Sequence, residues 1–131
     1  MKRTRTKTAL VVDNDDQIQH LLRSVLENIG FQTQATWSGY EALAALESHP
    51  PDVLLVDNYL PDLHFGDFLK QVGHLAIQPW IIVMQALQPT GEEVRQYSLL
   101  GASHVLRKQD LSELCRAVVS CCESQLIRRV N

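Results

Sequence analysis

The sequence predicts a single α/β domain in which helices wrap a five-stranded parallel sheet. Short apolar runs alternate with segments of helical periodicity along the chain, and five strand–helix units can be counted. The 131 residues, 45% of them hydrophobic, suit one domain with its own core. Each unit is therefore expected to place one strand in the sheet and one helix on a face of it.

The first two units differ in the pattern of their strands. Residues 9–12 form a continuous apolar run, whereas residues 31–36 alternate apolar with polar side chains, as expected near a sheet edge. The helix of the second unit is expected over Tyr40–Ser48, after a capping box made by Ser38 and Glu41. The order of apolar run, helix and alternating run favours parallel strands joined by crossover helices.

The last three units contain the most apolar strands. Residues 53–56 and 80–84 are uninterrupted apolar runs, which is typical of central strands buried on both faces. The final strand is expected at 103–106. Three helices complete these units: a short one around 66–72, one that starts at a Thr90 and Glu93 capping box and closes at Gly101, and one capped by Asp110 and Glu113.

Charge and hydropathy exclude several classes of protein. A formal net charge of -3 gives no field that would hold a nucleic-acid backbone. The basic segment 1–7 lacks the apolar stretch of an export signal and is expected to be a flexible leader. No run approaches the ~18 apolar residues of a membrane span. We therefore expect a cytoplasmic protein that contacts neither nucleic acid nor membrane.

The three cysteines lie close together near the carboxyl terminus. Their odd number offers no disulfide framework, and a metal site is the alternative to a structural role. Cys115 and Cys122 are seven residues apart on an apolar helical stripe, where a free thiol behaves as a small hydrophobe. Cys121 falls off that stripe and is expected to be exposed.

Charged and polar residues follow the predicted strands. Asp13-Asn14-Asp15-Asp16 follows the first strand, Asp57 the third, Gln85 the fourth and Arg107-Lys108 the fifth. The carboxyl ends of parallel strands meet at one edge of a sheet, where ligands bind. Oxygen ligands there suit Mg²⁺, and an aspartate can act as a phosphoryl acceptor beside a neutralising ammonium. Asp57 and Lys108 fit those roles, while Asp16 and Asp110 are better explained as helix caps.

Three segments together resemble the receiver domains of two-component response regulators, of the chemotaxis-regulator type. Residues 11–15 are similar to the acidic cluster of that family, 57–61 to its phosphoacceptor segment, and 101–108 to its last strand and lysine. Order and spacing agree from about Thr8 to Leu126. The resemblance implies one receiver domain over 8–128 with a flavodoxin-like, doubly wound sheet in the order 2-1-3-4-5.

The resemblance also implies roles for individual residues. Asp57 would accept a phosphoryl group from a histidine kinase or phosphotransfer protein, and Lys108 and Gln85 would contact the phosphate. Asp13, Asn14, Asp57 and the Tyr59 carbonyl would hold Mg²⁺. Such a domain is no enzyme beyond its own phosphorylation and dephosphorylation. Its output would pass to a downstream protein or a fused effector, with a homodimer as a further option.

The sequence departs from the receiver pattern at positions that matter for switching. Asn14 replaces the usual second acid, so Mg²⁺ binding is expected to be weak. Gln85 stands where a hydroxyl residue would contact phosphate, and Val105 stands where the family has its switch aromatic. Gln109 replaces a proline, and Phe65 replaces a loop glycine. We expect Tyr97 to substitute in part for the aromatic by packing over Val105.

Two other functions remain open at this stage. A receiver that is not phosphorylated could act as a protein-binding module, and the departures at Gln85 and Val105 favour that alternative. A nucleotide or flavin binder would share the sheet but would need a phosphate-binding loop after the first strand, where the acidic cluster would repel phosphate. The five histidines lack ligand spacing and are assigned no role.

Overall fold

The computed structural model describes the backbone of residues 6–130 and the side chains of residues 6–123. Strands and helices alternate along this range. In chain order they are β1 (Lys7–Val12), α1 (Asp16–Asn28), β2 (Phe31–Thr36), α2 (Gly39–Ser48), β3 (Val53–Asp57), α3 (Phe65–Val72), β4 (Trp80–Gln85), α4 (Gly91–Leu99), β5 (Ala102–Arg107) and α5 (Leu111–Val130).

All strand pairs are parallel, and the sheet has the order β2-β1-β3-β4-β5. The predicted doubly wound, flavodoxin-like α/β fold is therefore confirmed. The chain moves outward from β1 to β2 and then returns to the other side of β1 through β3. The strand order thus reverses between β1 and β3, and the crevice beyond their carboxyl ends is where a ligand site is expected in such a sheet.

The apolar strands separate two layers of core. Leu10 and Val12 of β1 face a cluster that α2, α3 and the partly buried side of α4 cover, whereas Ala9 and Val11 face a cluster covered by α1 and α5. The continuous apolar run of β3 is buried at every position, because helices pack on both of its faces. Helix packing on both faces of the sheet therefore fixes the positions of the strand ends.

Several local predictions were shifted or wrong. α1 is capped by the carboxylate of Asp15, which accepts from the backbone N–H groups of Gln17 and Ile18, so Asp16 is the first helical residue and not the cap. The predicted exposure of Cys121 is wrong, since this thiol is buried beside Cys122 in the core under α5. The buried face of α5 is wider than a seven-residue stripe and takes in adjacent positions.

The predicted leader, residues 1–7, ends inside β1. Residues 1–5 of the predicted leader lie outside the described range, and Lys7 is the first residue of β1. Within the described range, no helix combines the length and the apolar character needed to cross a membrane.

Candidate functional site

The carboxyl edge of the sheet brings together three charged side chains from three strands. Asp13 follows β1, Asp57 is the last residue of β3, and Lys108 follows β5. The Lys108 ammonium lies 2.7 Å from Asp13 Oδ2 and 3.0 Å from Asp57 Oδ2. Both carboxylates are buried, at 1% exposure for Asp13 and 6% for Asp57. The three residues predicted to share a site therefore do so.

Strand spacing explains why a long cation is needed at this position. β4 lies between β3 and β5, so the backbone of Lys108 is two strand spacings, about 10 Å, from that of Asp57. The Lys108 N–H donates to the Gln85 carbonyl at 2.8 Å, which continues the ladder past the end of β5 and fixes the lysine backbone. The four-carbon side chain then crosses above β4 to the acids.

Burial and the Lys108 ammonium shift the pKa of the Asp57 carboxylate in opposite directions. Desolvation raises the pKa of Asp57 above its ordinary value, and the nearby Asp13 charge raises it as well. The hydrogen bond and charge of Lys108, with the Tyr59 backbone N–H, lower the pKa but do not cancel the rise. For Lys108, burial lowers the pKa, yet its two carboxylate partners outweigh burial and the net pKa is raised.

The donor set at this edge fits a hard divalent cation. Asp13 Oδ1 accepts from the Asp15 N–H at 3.0 Å, while Asp13 Oδ2 is buried and receives no directed hydrogen bond from the described residues. Its approach to Lys108 is that of an ion pair. Asp13 and Asp57 thus offer carboxylate oxygens at this edge, the ligand type that Mg²⁺ takes together with water.

The carboxylate supply at the edge is nonetheless small. Within the described part of the chain, no three His, Cys, Asp or Glu side chains group so as to hold a metal. Asn14 is exposed, and Asp15 uses its Oδ1 to cap α1. The metal donors would therefore carry two charges from Asp13 and Asp57.

Comparison with known proteins decides the family of the chain. A model of the response regulator receiver domain matches residues 9–119. The chain belongs to this family. This receiver domain is 33% identical over 93 residues to the polar-differentiation response regulator DivK of Brucella ovis. The match covers 69% of this chain and 75% of DivK.

Two further comparisons show how far the likeness extends, one in sequence and one in fold. The receiver domain is 36% identical over 103 residues to protein-glutamate methylesterase/protein-glutamine glutaminase 3 of Rhodospirillum rubrum; the match covers 77% of this chain and 28% of that protein. The signal receiver domain of an HD domain-containing protein from Pseudomonas fluorescens Pf-5 has the same fold, with a TM-score of 0.85 at 21% identity over 100% of this chain and 97% of that one.

The glutamine of this receiver domain is engaged away from Asp57. Gln85 is buried, and its Nε2 donates to the Leu87 carbonyl at 3.1 Å and to Glu93 Oε1 at 3.3 Å, while its Oε1 accepts from Asn58 Nδ2 at 3.4 Å. Glu93 also completes the capping box of α4 with Thr90. The Thr90 N–H and the Gln85 amide both lower the pKa of Glu93. A series of side-chain hydrogen bonds thus joins the loop after β3, at Asn58, to the start of α4.

Val105 and Tyr97, the other residues that the sequence associates with switching, lie in one apolar cluster. Val105 is buried in the same cluster that Tyr97 partly joins. The Tyr97 ring meets Phe65 edge to face, with centroids 5.2 Å apart. Phe65, found where a loop glycine is common, begins α3 and is buried. Tyr97 is therefore anchored on α3 as well as on the cluster that contains Val105.

Two contacts at the site were missed from the sequence. The Asp62 carboxylate accepts from the backbone N–H groups of Gly39 at 2.8 Å and Tyr40 at 3.1 Å, and so joins the loop between β3 and α3 to the start of α2. Desolvation opposes but does not prevent a lowered pKa for Asp62, because these N–H groups stabilise its charge. The second missed contact is that of Gln19 on α1, whose Nε2 donates to the backbone carbonyls of Asp13 and Thr36. The sequence hints at it only by placing a polar residue beside the inward-facing positions of an amphipathic helix.

Proposed function

We propose that this receiver domain accepts a phosphoryl group on Asp57 from a histidine kinase or a histidine phosphotransfer protein in the cytoplasm. The observation that carries the proposal is the Lys108 ammonium, held 3.0 Å from the Asp57 carboxylate and 2.7 Å from Asp13. A carboxylate can act as the nucleophile when fixed positive charge neutralises the transferring oxygens. The likeness to DivK, named a response regulator, supports the same function.

The proposed reaction is a single displacement at phosphorus. A carboxylate oxygen of Asp57 forms a bond to phosphorus as the phosphorus–nitrogen bond of the donor histidine breaks, and the electrons of that bond leave with the ring nitrogen. Mg²⁺, when held by Asp13, Asp57, Asn14 and the Tyr59 carbonyl, would supply charge neutralisation to the phosphoryl oxygens. Lys108, which follows β5, would supply a second positive charge, because its ammonium lies 3.0 Å from Asp57 Oδ2.

The proposed output passes through the face formed by α4, β5 and α5 to a protein partner or a fused effector. We propose that phosphorylation changes this face little. To contact a phosphoryl group, the Gln85 amide would have to leave Leu87 and Glu93, its present partners. Val105 has no ring that could follow such a movement, and Tyr97 is already packed on Phe65.

The same contacts favour a second candidate function, a receiver that binds its partner without phosphorylation. Here Gln85 would serve as a permanent link that holds α4 in one position. The carboxylates would then be structural ligands of Lys108, and no Mg²⁺ or phosphoryl group would be needed. The two candidates differ in one observable property, the uptake of phosphate at Asp57.

Intact-mass measurement with a small phosphodonor tests the proposal. We expect the parent protein to gain one phosphoryl group in the presence of Mg²⁺ and none in the presence of a chelator. Asp57→Ala should gain none under either condition. An unmodified parent protein would contradict the proposal and favour the second candidate, and equal gain by Asp57→Ala would show that the acceptor lies elsewhere.

A further inference from the structure

A buried glutamine outside the charged cluster lies against the end of β1. Gln19 is on α1 and is 4% exposed. Its Nε2 lies 3.1 Å from the Val11 carbonyl oxygen, 3.0 Å from that of Asp13 and 2.6 Å from that of Thr36. One side-chain amide thus joins the carboxyl ends of β1 and β2 to the helix that follows β1.

The three contacts define the orientation of this amide. Three carbonyl oxygens surround one nitrogen that carries two N–H groups, so the nitrogen must face them and the amide oxygen must face away. That oxygen, Gln19 Oε1, is buried and has no hydrogen-bond partner among the described residues. Burial of a polar side chain costs free energy unless its hydrogen bonds compensate, and here half of the amide is uncompensated. An apolar residue would avoid that cost but would leave the Asp13 carbonyl without this donor, so the amide acts on the backbone at the end of β1.

The contacts of Asp13 show what the amide achieves. The Asp13 carbonyl is held by Gln19, its N–H donates to the Thr36 carbonyl at 3.2 Å, and its Oδ1 accepts from Asp15. The main chain and one carboxylate oxygen are thereby fixed. The remaining oxygen, Oδ2, faces the Lys108 ammonium at the proposed metal site.

We propose that Gln19 is a positioning residue for Mg²⁺ binding, which acts by fixing the backbone of Asp13 so that Asp13 Oδ2 faces the metal. The proposal rests on the proposed function, because it concerns the same metal site. Groups that orient a metal ligand from behind commonly change metal affinity by about 10- to 100-fold when they are removed. Gln19 holds the ligand residue through its backbone, which places it at the lower end of that range.

The test compares Gln19→Met with Gln17→Met in the full chain. Methionine keeps the length of glutamine and removes both N–H donors, and Gln17 is an exposed residue of the same helix. Mg²⁺ is titrated into each protein and followed by backbone amide NMR, while urea unfolding is measured separately. We expect about 10-fold weaker Mg²⁺ binding in folded Gln19→Met, faster hydrogen exchange at the Asp13 amide, and parent-like binding in Gln17→Met.

The outcomes separate this inference from the function on which it rests. If the parent protein binds no Mg²⁺, the proposed metal site fails. If the parent binds Mg²⁺ and folded Gln19→Met binds it equally well, Gln19 is only structural and the inference is overturned, even where urea unfolding shows a loss of stability.

A measurement on the parent protein covers the case in which Gln19→Met does not fold. The side-chain amide protons of Gln19 should exchange slowly and should shift as Mg²⁺ is added, whereas those of Gln17 should do neither. Gln19 amide signals that are unmoved by saturating Mg²⁺ would overturn the inference.

Discussion

The carboxyl edge of the sheet and helix α4 are held in contrasting ways. At the edge, Asp13, Asp57 and Lys108 come from three strands and meet within 3.0 Å, with both acids buried. α4 has no fully buried residue: Tyr97 is partly buried against Phe65, and Leu99 is exposed. Its polar attachment to the edge is the hydrogen bond between Gln85 and Glu93. The difference shows that the charged residues at the edge are held by burial and ion pairs, whereas α4 is joined to that edge through a hydrogen bond.

The contrast has a physical consequence for signalling. An element with few buried contacts can move at a low cost in free energy. α4 can therefore move, but only if a change at Asp57 alters the contacts that α4 makes. To shift two states from 1:99 to 99:1, a ligand must favour one of them by about 5.5 kcal/mol. In this domain Gln85 is hydrogen-bonded to Asn58 and to Glu93 of α4, so its amide already supports the present position of α4.

Removal of the ammonium should have the largest effect on the edge. In Lys108→Met, we expect the rate of phosphorylation from a small donor to fall about 10²- to 10³-fold, the usual loss when one charge-stabilising donor is removed. Mg²⁺ binding should not weaken, because a positive charge 2.7 Å from Asp13 is lost. Time-resolved intact mass gives the rate, with the exposed Lys70→Met as the control. An unchanged rate would contradict the role of Lys108.

The same variant carries a pH signature in metal-free buffer. The pKa of Lys108 is raised in the folded protein, so its stabilisation is complete below the ordinary value of 10.5 and is lost as the pH rises through the folded pKa. The parent protein should therefore lose more unfolding free energy at alkaline pH than Lys108→Met. Parallel pH profiles from urea unfolding would show that the ion pairs do not stabilise the fold.

Restoring the missing acid should strengthen the edge by a smaller amount. Two unit charges 4 Å apart attract by roughly 4 kcal/mol at an effective dielectric near 20, and desolvation and solvent screening offset much of this at exposed Asn14. We expect about 10-fold tighter Mg²⁺ binding in Asn14→Asp, measured by titration. Asn28→Asp at the far end of α1 adds the same charge and serves as the control. Equal affinity in Asn14→Asp and the parent would show that position 14 is not a ligand.

A change at Gln85 should have the smallest effect, and within the helices and strands it should act mainly on α4. Gln85→Leu keeps the bulk of the side chain but removes its hydrogen bonds to Leu87 and Glu93, which costs about 1 kcal/mol of unfolding free energy. Hydrogen exchange should speed up in the first turn of α4 and stay unchanged in β3. Gln96→Leu, which loses one exposed contact on α4, is the control. Faster exchange in β3 as well would remove the contrast between the two regions.

The sequence predicted those parts of the molecule that depend on local pattern. The apolar run of β3 specified a strand buried on both faces, and Asp57 followed from its end. The strand order came from the resemblance to receiver domains. Where four polar residues followed β1, the pattern did not distinguish Asp15 from Asp16 as the cap of α1.

Other features depend on packing between distant segments. The exposure of Cys121 was mispredicted because the width of the buried face of α5 depends on how that helix lies on the sheet. Asp62 and Gln19 reach backbone groups of other elements, so local sequence does not identify the partners of either side chain. The Gln85–Glu93 hydrogen bond likewise requires the end of β4 to meet the start of α4.

Backbone amide spectra with and without Mg²⁺ and beryllofluoride, a phosphoryl mimic, bound at Asp57 test most directly whether an intact acceptor site is weakly coupled to α4. We expect clear shifts at Asp13, Asp57, Gln85 and Lys108, with residues 92–100 and 103–106 little changed. Large cooperative shifts across 92–100 and 103–106 would show a working switch and contradict weak coupling. Spectra that do not change at all, even at Asp57, would contradict the acceptor site itself.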